Sequence, residues 1–245
     1  MLGIIAGSGL QRLNQMTNVR REIVRTPFGE TSCALTIGQL SPGKEVVFLN
    51  RHGYGHTIAP HQINYRANIW ALQKIGVTTI CALGSSGSLD VSIEPGQLIL
   101  PEDAIDYTNG RRGTYFEGPD NPIVYTDVSE IFSDDVRATL LDAASSAGEK
   151  LRADAVYACT NGPRLETRAE VRRMARDGAN IVGMTLMPEA VLARELGVAY
   201  AAMTVCTNYA AGIRENELSD LQQWRTLREQ SLLRVEKILQ HWSAQ

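Results

Sequence analysis

Short apolar runs of β character alternate with stretches of helical periodicity along nearly the whole chain, and most of the runs end in glycine, serine or asparagine. Strand-like runs fall at Leu2–Ala6, Cys33–Gly38, Glu45–Asn50, Thr78–Leu83, Gln97–Leu100, Ala155–Cys159, Ile181–Met184 and Ala199–Cys206. Helical patterns cover Gln62–Ile75, Asp134–Ala147, Glu166–Asp177, Pro188–Leu196 and about Leu218–Trp242, with Pro188 suited to a first turn. This alternation predicts an α/β protein whose mixed, largely parallel central sheet is flanked by helices. With 245 residues, no internal repeat and no linker, one domain over residues 1–245 is expected.

The formal charge of -3, without a basic patch or tail, argues against nucleic acid or an acidic membrane as partner. No run of eighteen apolar residues is present, and the opening MLGIIAGSGL lacks a basic segment, so it reads as a first strand and not a signal peptide. Cys33, Cys81, Cys159 and Cys206 are scattered in apolar runs with no C-x-x-C pair, which predicts buried thiols in a reducing cytoplasm. His52, His56 and His61 cluster, but no carboxylate or thiol accompanies them at ligand spacing, and no metal is expected.

The strand ends read AGSG, NRHGYGH, GSSGS, CTNGP, GMT and CTNYAAG. Ligands of α/β proteins bind at the carboxyl ends of strands, where backbone amides and helix N-termini converge. Any one of these motifs is explained by turn formation; six together point to a shared pocket. Gly7-Ser8-Gly9 could open a dinucleotide fold, but Arg12 stands where the third glycine belongs, and a serine between glycines suits phosphate better. Arg51 ends an apolar strand and could give a two-pronged fork to phosphate, with His52 as a further donor. The plainer alternative is a surface arginine beside a structural histidine. The long Gly/Pro/Asp-rich stretch Asn109–Pro122, with Tyr115 and Phe116, reads as a functional loop, either a gate or an element lent to a neighbouring subunit.

Taken in order, IAGSGL, RHGYGH with PHQINYRANIWAL, GSSGSL, CTNGPRLETRAE, GMTLMPEAVLARELG and TNYAAG resemble the trimeric branch of the purine nucleoside phosphorylases, which includes the methylthioadenosine and methylthioinosine phosphorylases. The resemblance runs from Leu2 to the terminal helix, and GPRLET and GMTxMPEA carry most of its specificity. It implies the nucleoside phosphorylase type of fold, a homotrimer, no cofactor, and a purine nucleoside with inorganic phosphate as co-substrate. By residue, Ser8, Arg51, His52, Ser86 and Thr185 match phosphate ligands, and Met184 matches the methionine under the ribose. Glu166 matches the acceptor of purine N1–H, Asn208 the residue facing N7 and O6, and Leu165 a position where many relatives carry an aromatic ring over the base.

The chemistry so implied breaks a C–N bond through an oxocarbenium-like state, with phosphate beneath C1′ and a donor at N7, so that positioning replaces a protein nucleophile. Glu166 and Asn208 act as the catalytic pair at the base. A carboxylate at N1 demands the hydrogen that only a 6-oxopurine carries there, which favours hypoxanthine or guanine over adenine. Relatives acting on ordinary nucleosides bind the 5′-hydroxyl with a histidine from the terminal region. Glu215–Arg228 holds none, leaving Leu218 and Leu221, with His56, as an apolar 5′ lining suited to methylthio. The leucines could equally belong to the core face of the last helix. Methylthioinosine therefore ranks first among substrates, with methylthioadenosine phosphorylase and inosine/guanosine phosphorylase as alternative activities and a non-catalytic nucleoside sensor as the rival from another class.

Overall fold

The computed structural model describes residues 1–7, 13, 15–119, 121–214 and 221–245, the side chains of 221–225 and 228 excepted. In chain order the strands are β1 (Leu2–Ala6), β2 (Thr17–Glu22), β3 (Leu35–Ser41), β4 (Lys44–Asn50), β5 (Thr79–Ser88), β6 (Leu98–Ile99), β7 (Asp103–Asp106), β8 (Leu151–Arg152), β9 (Val156–Cys159), β10 (Ile181–Gly183) and β11 (Ala199–Tyr209). The helices are α1 (Tyr65–Lys74), α2 (Asp134–Ser146), α3 (Arg168–Arg176), α4 (Glu189–Glu195) and α5 (Leu221–Ala244). Among the described residues all the strands join one mixed sheet, whose main path runs β2-β3-β4-β1-β5-β10-β9-β7.

The central strands read as continuous apolar runs because both of their faces are covered. Successive side chains point to opposite faces. Ile5, Val47, Leu49 and Ile80 pack on one side with Ile69 and Leu72 of α1 and Ala190 and Leu192 of α4. Ile4, Val46, Phe48, Cys81 and Leu83 pack on the other with Val136 and Leu140 of α2 and Ile238 and Leu239 of α5. The helix starts are locally encoded: the Asn64 side chain accepts from the Ala67 N–H, and that of Ser133 from the Val136 N–H, with Asp134 and Asp135 in the first turn.

Strand β5 organises the functional end of the sheet. Its first residues pair in parallel with β1, the last match being Ile5 with Ala82, whereas Gly87 and Ser88 pair antiparallel with β10. Between these contacts β5 has left one neighbour and not yet met the other. The sheet therefore opens around Leu83–Ser86, in the manner of the crevices where α/β proteins bind ligands. On its other edge β5 stays paired with β11 from Thr79 to Ser88.

Candidate active site

A cavity of about 460 Å³ occupies that opening, within the range of small-molecule sites. Its floor is Gly7 and the Gly84–Gly87 segment; Val182–Thr185 and Thr207–Asn208 form walls, and His52, His56, Leu165 and Glu166 stand at the rim. Of the residues expected at a site, His52, His56, Ser86, Leu165, Glu166, Met184, Thr185 and Asn208 thus line one cavity. Ser8 and Leu218 lie outside the described residues, as does the side chain of Leu221.

Arg51 does not line this cavity. The fork expected at phosphate is closed on a carboxylate: Nε donates to Glu189 Oε2 at 2.9 Å and Nη2 to Oε1 at 2.6 Å, while Nη1 donates to the Leu83 carbonyl at 2.6 Å. Both side chains are wholly buried. Burial pulls against the arginine charge, but the charge and hydrogen bonds of Glu189 more than reverse this, so the guanidinium stays protonated above its ordinary range. Tyr200 completes the cluster by donating to Glu189 Oε1 at 2.8 Å. The pair sits directly behind the cavity floor. A Cβ on Gly7 would stand 2.5 Å from the Leu83 carbonyl and 2.9 Å from Arg51 Nη1, which is why glycine is needed at the floor.

One ring nitrogen of His52 is likewise engaged by the protein. The residue is buried, and Nδ1 lies 2.8 Å from the Ile58 carbonyl oxygen, which can only accept. Burial lowers the ring's pKa from 6.5 to about 4, against the pull of that carbonyl and with help from the Arg51 charge and from His56. The rings of His52 and His56 lie 4.2 Å apart, centroid to centroid.

Local structure aims the base-side residues. The Thr167 hydroxyl accepts from the Glu170 N–H, and the Glu170 carboxylate accepts from the Thr167 N–H, a capping box that fixes the start of α3 two residues after Glu166. The Thr160 hydroxyl donates to Glu166 Oε1 at 2.7 Å, leaving Oε2 as the carboxylate's other acceptor. On β11 the register against β5 shifts between Cys206 and Asn208, so Thr207 is an extra residue that turns the strand and brings Asn208 opposite Gly87. The Thr207 hydroxyl donates to Asn208 Oδ1 at 2.9 Å, and Asn208 Nδ2 donates to the Tyr209 carbonyl at 2.9 Å. One amide hydrogen is therefore held by the protein, and one remains to meet a ligand.

The sequence pointed to none of Thr160, Thr207, Glu189 and Arg111 as site residues. Arg111, from the 109–122 loop, reaches under the site and donates to the carbonyls of Asn161 at 3.0 Å, Met184 at 2.9 Å and Met187 at 2.5 Å. It thereby ties the turn before Glu166 to the turn carrying Met184 and Thr185. Strand-end position would have flagged Thr160 and Thr207. The other two are visible only once the chain is folded.

A family model described as the phosphorylase superfamily matches residues 1–240. The chain is 43% identical over 223 residues to a probable 6-oxopurine nucleoside phosphorylase of Thermococcus kodakarensis, covering 89% of this chain and 82% of that protein. It is 44% identical over 210 residues to a probable S-methyl-5′-thioinosine phosphorylase of Pseudomonas syringae pv. tomato, covering 85% of each. Among solved structures, methylthioadenosine phosphorylase from Schistosoma mansoni in complex with adenine superposes with a TM-score of 0.94 at 32% identity, over 99% of this chain and 90% of that one.

Proposed function

The chain belongs to the phosphorylase superfamily, and from that premise we propose that it cleaves the glycosidic bond of a 5′-methylthio purine nucleoside with inorganic phosphate. Methylthioinosine is the favoured substrate, giving hypoxanthine and 5-methylthioribose 1-phosphate. The observation that carries this reading is the convergence of Glu166 and Asn208 on one cavity that His52 also lines, each held by a nearby threonine. Relatives named for 6-oxopurine nucleosides and for methylthioinosine support the base and the 5′ group respectively.

In this reading Glu166 Oε2 accepts N1–H of the purine, and the remaining Asn208 amide hydrogen meets N7 as negative charge builds there. With only one such hydrogen to give, Asn208 serves the leaving group at N7 before it serves O6. Met184 packs under the ribose and Leu165 covers the base edge. Phosphate sits among Ser86, Thr185, His52 and the Gly7 amide, with Ser8 beside it by resemblance. Arg51 acts from behind the floor: its charge is largely neutralised by Glu189, and its part is to hold the floor in shape. No protein nucleophile is required, because phosphate fixed beneath C1′ stabilises the oxocarbenium-like state and then captures it.

The same proposal includes a homotrimer working in the cytoplasm. The exposed apolar run Ile123, Val124, Tyr125 and Val128 supports a subunit interface. Four unbridged cysteines, three of them buried, fit a reducing compartment. Base release from methylthioinosine, methylthioadenosine, inosine and adenosine, each with and without phosphate, tests the reading. Phosphate-dependent hypoxanthine release fastest from methylthioinosine is expected. Release that ignores phosphate would overturn the mechanism, and adenine release outpacing hypoxanthine would overturn the roles of Glu166 and Asn208. Inosine turned over as fast as methylthioinosine would favour a plain 6-oxopurine nucleoside phosphorylase instead.

A further inference from the structure

The hydrogen-bonding sense of His52 is fixed by its neighbour. A carbonyl oxygen has no hydrogen to give, so the 2.8 Å contact between Nδ1 and the Ile58 oxygen places the ring hydrogen on Nδ1. The Ile58 N–H donates in turn to the His52 carbonyl at 3.0 Å, which closes the turn on itself. Nε2 then carries a lone pair unless the ring is charged. Three features oppose that charge: the side chain is buried, Arg51 immediately precedes it in the chain, and the His56 ring lies against it. The depressed pKa of about 4 agrees. A residue at the rim of the proposed anion subsite therefore offers an acceptor where an anion would ordinarily be met by a donor.

We infer that His52 makes this pocket select an oxyanion that carries its own proton, Nε2 accepting from the P–OH of monohydrogen phosphate. The inference rests on the phosphate reading given above. Arsenate, which is likewise protonated at neutral pH, fits the same arrangement. Sulfate matches phosphate in charge and nearly in shape but has no hydrogen, so one of its oxygen lone pairs would face the nitrogen lone pair. Monofluorophosphate, with fluorine in place of hydroxyl, fails in the same way. The role is recognition: no proton passes to the ring, and the P–OH bond stays intact while the anion is bound. A hydrogen bond involving a charged group, formed in one case and lost in the other, is worth about tenfold to a hundredfold in affinity.

The test is calorimetric binding of phosphate, arsenate, sulfate and monofluorophosphate to the whole protein without nucleoside, with turnover measured separately. Phosphate and arsenate are expected to bind within a fewfold of each other and at least tenfold more tightly than sulfate or monofluorophosphate. His52→Asn keeps a donor for the Ile58 carbonyl but has nothing at Nε2, and should close that gap to about threefold or less by weakening phosphate. His52→Gln sets an amide hydrogen near Nε2 and should tighten sulfate. ¹⁵N spectra of histidine-labelled protein should show one ring nitrogen at the non-protonated position throughout a phosphate titration. Equal binding of sulfate and phosphate by the wild type, a gap unchanged in both variants, or a protonated Nε2 in the phosphate complex would each overturn the inference. A protein that turns over with phosphate yet binds sulfate equally loses only the His52 role. One that prefers phosphate to sulfate yet releases no base loses only the proposed activity.

Discussion

Arg51 and Glu189, 138 residues apart in sequence, meet as a two-pronged ion pair with no exposure of either side chain, directly behind the floor of the cavity. The pair links the end of β4 to the start of α4 and so joins the two halves of the site. Removing one partner leaves the other charge buried without compensation, which costs about 3–5 kcal/mol. Glu189→Ala is therefore expected to lose a substantial part of the protein's margin of stability in urea unfolding. The double change Arg51→Met with Glu189→Leu should lose much less than the sum of the single changes. Additive losses would show that the two residues act independently.

Thr160 touches Glu166 and not, in the proposed arrangement, the purine itself. Thr160→Val removes the 2.7 Å hydrogen bond that orients the carboxylate while keeping shape and bulk. The expected result is a fall of about tenfold in kcat/KM for methylthioinosine, little change for methylthioadenosine, and a melting temperature near that of the wild type. Equal losses on both substrates would mean that Thr160 shapes the pocket without serving Glu166.

The strands around the site were legible because they are apolar on both faces: β1, β4, the first half of β5 and β11 all fall where their apolar runs lie. The strand β2 was not. Its residues TNVRRE are exposed throughout, and an edge strand of that kind has no apolar alternation to read. Strand β5 also runs on through GSSGS, although glycine and serine are poor strand formers; pairing with β10 and β11 overrides the local preference. The short β7 and β8 are fixed by their partners alone. Among the residues expected at the site, those at strand ends line one cavity, whereas the engagement of Arg51 by Glu189 depends on a contact across the fold that no local pattern encodes. A tautomer such as that of His52 likewise depends on which carbonyl comes to lie beside the ring.

The depressed pKa of His52 gives stability a defined pH dependence. The unfolded ring takes up a proton near its ordinary value of 6.5, whereas the folded ring resists it down to about 4. Between these values the unfolded state binds more protons, so acidification across that window favours unfolding, and the effect levels off below it. His52→Asn lacks this component. The wild type's advantage in melting temperature over the variant should therefore shrink as pH falls from 6.5 toward 4. A constant difference across the window would show that the folded ring titrates normally.

Asn208→Asp tests the base reading at the point where the protein constrains it most. The amide nitrogen of Asn208 faces the Tyr209 carbonyl at 2.9 Å, and its oxygen receives the Thr207 hydroxyl at 2.9 Å. An aspartate in the same place sets an oxygen against the Tyr209 carbonyl, which favours the protonated acid with its hydrogen on that oxygen. That same oxygen then turns a lone pair toward the purine where the amide carried its second hydrogen, while the other oxygen stays held by Thr207. An acceptor there suits the exocyclic N6–H of adenine and opposes O6 of hypoxanthine. The ratio of methylthioadenosine to methylthioinosine turnover should thus rise by about tenfold or more. Because the proton needed at N7 is now shared with Tyr209, kcat should fall for both substrates. It should fall further as pH rises through the acid's elevated pKa and the proton is lost altogether. Paired kcat/KM values for the two nucleosides from pH 5 to 8 measure both effects. A ratio that stays at the wild-type value across that range would remove Asn208 as the residue that reads the base.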